Sequence, residues 1–110
     1  MLAERSQSIR YYRARWPDEA VPAGEPLWFY FEVDEGEDIV TRSIEIFDDG
    51  MIKRNSLELE RRNGDQCRSL IEGSWRELSA NTRFEELSRE QFDDAWSRGI
   101  DTPFWYPGRP

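Results

Sequence analysis

Carboxylates are the side chains with which this chain could do chemistry. Glu32, Asp34, Glu35, Glu37 and Asp38 crowd one short stretch, Asp48 and Asp49 follow, and Glu85, Glu86, Glu90, Asp93 and Asp94 gather further on. Two carboxylates at the right separation can hydrolyse a glycoside, and oxygen ligands suit Ca²⁺ or Mg²⁺. The first cluster lacks the D-x-[DN]-x-[DN]-G spacing of a dedicated calcium loop, and acids in turns are commonly just solvated. No metal ligand and no catalytic residue is assigned on this basis. The chain has no histidine, which removes the commonest general base and metal ligand. Its single cysteine, Cys67, has no histidine to activate it and reads as a small buried hydrophobe. No phosphate-cradling GxxxxGK[ST] or GxGxxG is present, so no cofactor is expected.

The remaining use for the acids is recognition. The formal net charge is −8 over 110 residues. Such a charge favours solubility, and it also suits a partner with a basic surface. Glu32, Asp34, Glu35, Glu37 and Asp38 would supply the acidic patch. Trp28, Tyr30, Trp105 and Tyr106 are the candidate aromatic anchors, unless all four are core. The reading is a non-enzymatic, acidic protein-binding module. One alternative is a small enzyme that runs on carboxylates. Another is a nucleic-acid-associated protein using Arg10, Arg13 and Arg15, whose alternation with tyrosines could stack on bases and hold phosphates. The overall charge has the wrong sign for duplex binding, and the same arginines would also protect an edge strand from aggregation.

These groups must be positioned by strands. Leu27, Phe29, Phe31 and Val33 alternate with Trp28, Tyr30 and Glu32, so this strand has one apolar face and one largely aromatic face. It is either covered on both sides or exposes an aromatic patch. Asp34 to Asp38 makes a polar loop. A strand over 39–47 follows, with Val40, Ile44 and Ile46 on one face, interrupted by Arg42, and Thr41, Ser43 and Glu45 on a solvated one. Asp48-Asp49-Gly50 signals a hairpin, with Gly50 at positive φ, and Met51 to Ser56 returns antiparallel. Upstream, Ile9 to Trp16 reads as a strand ended by Pro17, with Tyr12, Ala14 and Trp16 towards the core. Downstream, Leu57 to Glu60 still alternates, and Cys67 to Trp75 is assigned as a last strand. Ser88 and Gln91 form a capping box, with Leu87 and Phe92 as a hydrophobic staple. Phe92, Ala95 and Trp96 then mark one face of a helix that Gly99 ends.

The fold class is therefore α+β: an antiparallel β-meander of four to five strands with one short C-terminal helix packed on the sheet. Residues 1–8 form a frayed N-terminus, 9–99 one domain and 100–110 an aromatic, proline-rich tail. No run approaches the roughly 20 apolar residues of a membrane helix. The N-terminal residues lack the apolar core of a signal peptide, and one cysteine fits a reducing compartment. The expectation is a cytoplasmic protein with no membrane partner.

Four segments, YYRARWPDE (11–19), LWFYFEVDE (27–35), TRSIEIFDDGMIKR (41–54) and FEELSREQFDDAW (84–96), together resemble a small uncharacterised bacterial domain family. Its pattern is a strand ending in W-P, a W-x-Y-x-E-like strand, an R-x-[IV]-E-[IV]-F-x-D-G hairpin and a C-terminal S-x-x-x-F-x-x-x-W helix. Trp16-Pro17, Trp28, Tyr30, Glu32, Arg42 to Gly50, Ser88, Phe92 and Trp96 stand at those positions here. The resemblance implies an α+β fold and a bacterial cytoplasmic protein, and carries no activity. Some relatives look like neighbours of toxin genes, which implies an immunity or inhibitor role. Residues 57–80 and 100–110 depart from the pattern.

Overall fold

The structure is a computed structural model that describes residues 8–16, 19–62, 64 and 68–101. In chain order the elements are β1 (Ile9–Arg15), β2 (Trp28–Asp34), β3 (Ile39–Ile46), β4 (Ile52–Ser56), α1 (Leu57–Arg62), α2 (Trp75–Asn81), β5 (Glu85–Leu87), α3 (Arg89–Arg98) and β6 (Ile100–Asp101). The sheet order is β5-β1-β2-β3-β4-β6. Four pairings are antiparallel, and β6 runs parallel to β4. The α+β class holds. The sheet, however, is six-stranded and mixed among the described residues, with three helices rather than one.

Among the described residues, the expected continuation of the strand through Leu57–Glu60 and the expected last strand are absent for identifiable reasons. Leu57 to Glu60 forms α1, because Ser56 Oγ accepts from the Leu59 N–H at 3.0 Å and starts a helix. Acids then fill its first turn and arginines its last, as the helix dipole favours. Of the alternating leucines, Leu59 is buried. The end of the expected 67–75 strand is instead the start of α2, and residues 68–74 are irregular. Ser74 caps that helix by accepting from the Glu77 N–H at 3.3 Å, a capping use of serine. Cys67 and the tail residues 102–110 lie outside the described residues. Of the frayed N-terminus only Ser8 is described, and its carbonyl accepts from the Glu35 N–H at 2.8 Å. Ile100 and Asp101, assigned to the tail, pair with Lys53 and Arg54 as β6.

Both faces of the sheet are covered. On one, α3 brings Phe92 and Ala95 against Tyr11, Ile44 and Leu87, with Tyr30, Ile46, Ile52 and Trp96 packed around them. On the other, Val33, Val40 and Trp75 form a second core with Tyr12, Phe31, Leu78 and Phe84. The Trp75 ring lies 4.8 Å from Phe84 and 5.3 Å from Tyr12. Ile9, Tyr11, Arg13 and Arg15 read from the sequence as a mixed outer face of β1, yet that face meets the α3 core, and Tyr11 is buried.

The division of β3 between the two cores depends on a bulge. The register runs Glu32↔Arg42 and then Val33↔Val40, leaving Thr41 as the extra residue. One inserted residue reverses which face the following side chains meet. Val40 therefore joins the α2 core, while Arg42, Ile44 and Ile46 face α3. Glu45 is not simply solvated. It sits between Phe29 and Lys53 in register, and burial, aided by Glu25 and opposed by Lys53, raises its pKa.

At the two ends of the hairpin and helix, glycine acts for different reasons. Gly50 has φ +89° with open space where a Cβ would stand. Gly99 ends α3 at an ordinary φ of −83°. There a Cβ would come within 3.2 Å of Ile52, so close approach, not a left-handed turn, favours glycine.

Gly50→Val is expected to cost about 1–3 kcal/mol from backbone strain alone, seen as a lower thermal midpoint with the sheet signal retained. Glu45→Gln should raise the midpoint at neutral pH. A carboxyl whose folded pKa is raised destabilises the fold when ionised, above that pKa, and ceases to do so once protonated. The advantage of glutamine should therefore fade as pH falls through the raised pKa of Glu45. An advantage unchanged down to pH 3 would mean the carboxylate is not desolvated.

Candidate functional site

The acidic loop between β2 and β3 is built largely by its own carboxylates. Asp34 Oδ1 accepts from the Ser8 hydroxyl at 3.2 Å and from the Glu37 N–H at 3.1 Å, which closes the turn. Asp38 adopts φ +61°, a left-handed conformation that aspartate tolerates better than most residues. Its carboxylate accepts from the Ser74 hydroxyl at 2.5 Å and the Arg76 N–H at 2.8 Å. Those two hydrogen bonds hold its pKa below the usual value. Arg76 also donates to the Glu35 carbonyl at 3.0 Å. Glu35 accepts from the Tyr12 hydroxyl at 2.8 Å and lies 3.9 Å from Arg10. Burial, then that hydrogen bond and the charge behind it, push Tyr12 up to about 12. The loop is thus fastened to β1 and to the start of α2.

Glu37 is the one acid of this loop whose side chain makes no hydrogen bond or ion pair among the described residues, and it is exposed. It borders a shallow depression shared with Asp38, Gly73 and Ser74. Glu72, which precedes Gly73, and Glu77, three residues after Ser74, are both exposed.

Glu32 belongs elsewhere. It faces the α3 side and lines a cleft of about 610 Å³ together with Tyr11, Thr41, Glu86 and Arg89. Arg42 binds it through two donors, Nε at 2.9 Å and Nη2 at 2.6 Å, and Thr41 Oγ1 donates at 2.8 Å. Burial alone would raise the Glu32 pKa, but the hydrogen bonds from Arg42 and Thr41 and the charge of Arg42 outweigh it and lower the value. Burial lowers that of Arg42, and Glu32 more than compensates. Burial first, then Glu32, raises the Tyr11 pKa. Arg42 also lies over the rings of Phe92 and Trp96, at 4.9 and 4.7 Å, and reaches Asp93 at 3.4 Å.

The second acidic group is mostly paired. Glu85 meets Arg13, Glu86 meets Arg10, Asp93 meets Arg42 and Arg89, and Asp94 meets Arg98. Arg10 stands between Glu35 and Glu86, while Arg13 and Arg15 point to the opposite face of β1. Trp28 is half-buried, with the Arg13 guanidinium 4.8 Å from its ring, and Tyr30 packs into the α3 core. Trp105 and Tyr106 lie outside the described residues. Among those described, no three His, Cys, Asp or Glu side chains converge as a metal ion would need. No described helix is long and apolar enough to cross a membrane.

Sequence reasoning missed Ser74 and the role of Arg42. Ser74-Trp75-Arg76-Glu77 has the S-x-x-E spacing of a helix start, a signal available in the sequence. Arg42 was visible as a lone charge on an apolar strand face, although its partner depends on register. No family model, no curated protein and no solved structure matches the chain.

Arg42→Met should destabilise by about 3 kcal/mol, the lower end of the range for breaking a buried pair, because Arg42 and Glu32 remain 24% and 15% exposed. The deficit has a defined pH dependence. A carboxylate with a depressed folded pKa stabilises above its unfolded pKa, and that contribution is lost as pH falls through the folded value. The gap between wild type and Arg42→Met should therefore narrow on acidification below pH 4, measured by urea unfolding at a series of pH values.

Proposed function

We propose that the protein is a non-enzymatic binding module that engages a protein partner with a basic surface. The observation that carries this reading is the state of Glu32. It lines a cleft of about 610 Å³, yet its pKa is lowered and it already accepts three hydrogen bonds from Arg42 and Thr41. A carboxylate so occupied is poorly suited to take or give a proton, since general acid–base catalysis needs a pKa near the working pH and a free lone pair.

The acidic loop supports the second half of the reading. Asp34 and Asp38 fix its backbone, so Glu37 is presented on a framework that needs little ordering on contact. Preorganisation of this kind lowers the entropic cost of association. Glu72, beside Gly73 at the edge of that depression, adds a second exposed carboxylate, although Arg68 lines the depression too. Complementary charge accelerates encounter and selects partners more than it adds affinity, so the tight contacts fall to apolar groups. An immunity or inhibitor role is one form such a module could take, and it rests on the family resemblance.

The test uses Glu37→Lys with Glu72→Lys, which leaves the structural acids Asp34 and Asp38 intact. A partner recovered from the native host with the wild-type protein should associate several-fold more slowly with the double variant at low salt, and its rate should depend less on ionic strength. Stopped-flow or surface-based kinetics would measure both. Equal association rates at low salt would refute the acidic surface as the docking face.

A further inference from the structure

We infer that the hollow formed by the end of β1, the start of β2 and the lead-in to β5 binds a phosphate monoester carried by a small molecule. It encloses about 410 Å³, within the range of small-molecule sites. Arg13, Arg15, Arg83, Trp28 and Glu85 line it. Arg13 and Arg15 are two residues apart on a strand and so share a face of β1. Register sets Arg15 opposite Trp28 and Arg13 opposite Glu85, and Arg83 precedes Glu85 by two residues. The cluster is thus assembled from separate segments. Arg10 has no part in it, because it turns to Glu35 and Glu86 on the other face of β1.

Charge balance identifies the ligand. Three guanidiniums meet one carboxylate in this hollow, in a chain with 23 acidic residues against 15 basic ones. Glu85 is committed to Arg13 at 3.1 Å. Arg15 and Arg83 are exposed and form no ion pair among the described residues. The local surplus is therefore two positive charges, and a phosphate monoester carries about −1.5 to −2 at neutral pH. Guanidinium geometry also matches phosphate oxygens bidentately. Trp28 keeps the cluster in shape: the Cζ atoms of Arg13 and Arg15 lie 4.8 and 5.9 Å from its ring. Such cation–π contacts favour holding two long side chains in place, which lowers the ordering cost of binding.

The hollow lies at the start of β2, whereas Glu37 follows its end, and it does not depend on the partner proposed there. The test is titration calorimetry of the whole protein with phenyl phosphate and with its diester, methyl phenyl phosphate, which carries one negative charge fewer at pH 7.5. The monoester should bind at least about tenfold more tightly, the factor one charge-assisted hydrogen bond supplies. Its affinity should fall as the pH is lowered to 5, through its second pKa near 6, while that of the diester stays level. In the double variant Arg15→Gln with Arg83→Gln the preference should vanish while a thermal melt stays unchanged, and each single variant should reduce it. Glu85→Gln, which removes the acid of the hollow, should strengthen monoester binding several-fold. Glu58→Gln should not. Glu58 is exposed on α1, beyond β4, and β4 lies three strand spacings from β1, about 14 Å, which exceeds the screening length of about 8 Å in physiological salt. The proposal is overturned if phenyl phosphate does not bind at millimolar concentration, if monoester and diester bind alike, or if the preference survives in the double variant. It is overturned equally if Glu58→Gln strengthens binding as much as Glu85→Gln does. If an oligothymidylate binds through these arginines and phenyl phosphate does not, the surface is a nucleic-acid contact and the proposal fails.

Discussion

The pairing of Glu32 with Arg42 is the constraint on which the rest of the structure depends. It joins β2 to β3 at the bulge, and Thr41, the bulged residue, donates to the same carboxylate. Arg42 then extends beneath α3, where its guanidinium contacts Phe92, Trp96 and Asp93. One side chain therefore sets the register of the central strands and the seat of the helix. Without the bulge, Val40 would lie on the α3 face and the second core would lose one of its fully buried members. A half-buried ion pair is weak evidence for net stability, because desolvation offsets its attraction. Its value here is specificity of register: a one-residue slip would leave both charges unmatched.

Acidity in this chain serves two ends that composition alone merges. Asp34 and Asp38 are hydrogen-bond acceptors for backbone and serine groups, and Glu32 is half of an internal pair. These are structural uses. Glu37, Glu72 and Glu77 are exposed and contribute field without building the fold. The basic residues divide the same way. Arg42 holds α3 from the middle of the sheet and Arg54 holds its last turn, donating to the Trp96 carbonyl at 2.7 Å. Arg15 and Arg83 remain at the surface.

Much of the fold was legible where local chemistry and long-range packing agree. The Gly50 turn, the Ser88–Gln91 capping box and the Leu87–Phe92 staple depend on neighbours a few residues away, and each is present. Leu57–Glu60 misled because Leu57 and Leu59 have the spacing of a strand; in α1 that spacing puts them on different sides, only Leu59 is buried, and Ser56 decided for the helix. The face of Val40 could not be read, since strict alternation holds only in the absence of a bulge. The site was legible in composition and not in arrangement. Glu32 and Asp34 are two residues apart, yet Glu32 faces the α3 cleft, where Arg42 holds it, whereas Asp34 closes the acidic turn. The Glu32 cleft draws on β1, β2, β3 and the start of α3, a convergence that no window of sequence contains.

The position of β1 has a consequence for how the chain is made. It lies in the interior of the sheet, between β2, which follows it closely, and β5, which is synthesised much later. During translation β1 and β2 can zip together early, but the other edge of β1 stays unpaired until residues 85–87 emerge. An open strand edge on a nascent chain invites pairing with other chains. Arg10 and Arg13, which in the finished protein meet Glu86 and Glu85, then flank that edge without those partners. The same two arginines that complete an ion-paired seam in the folded state would act during synthesis as gatekeepers, holding the edge open for its own late strand.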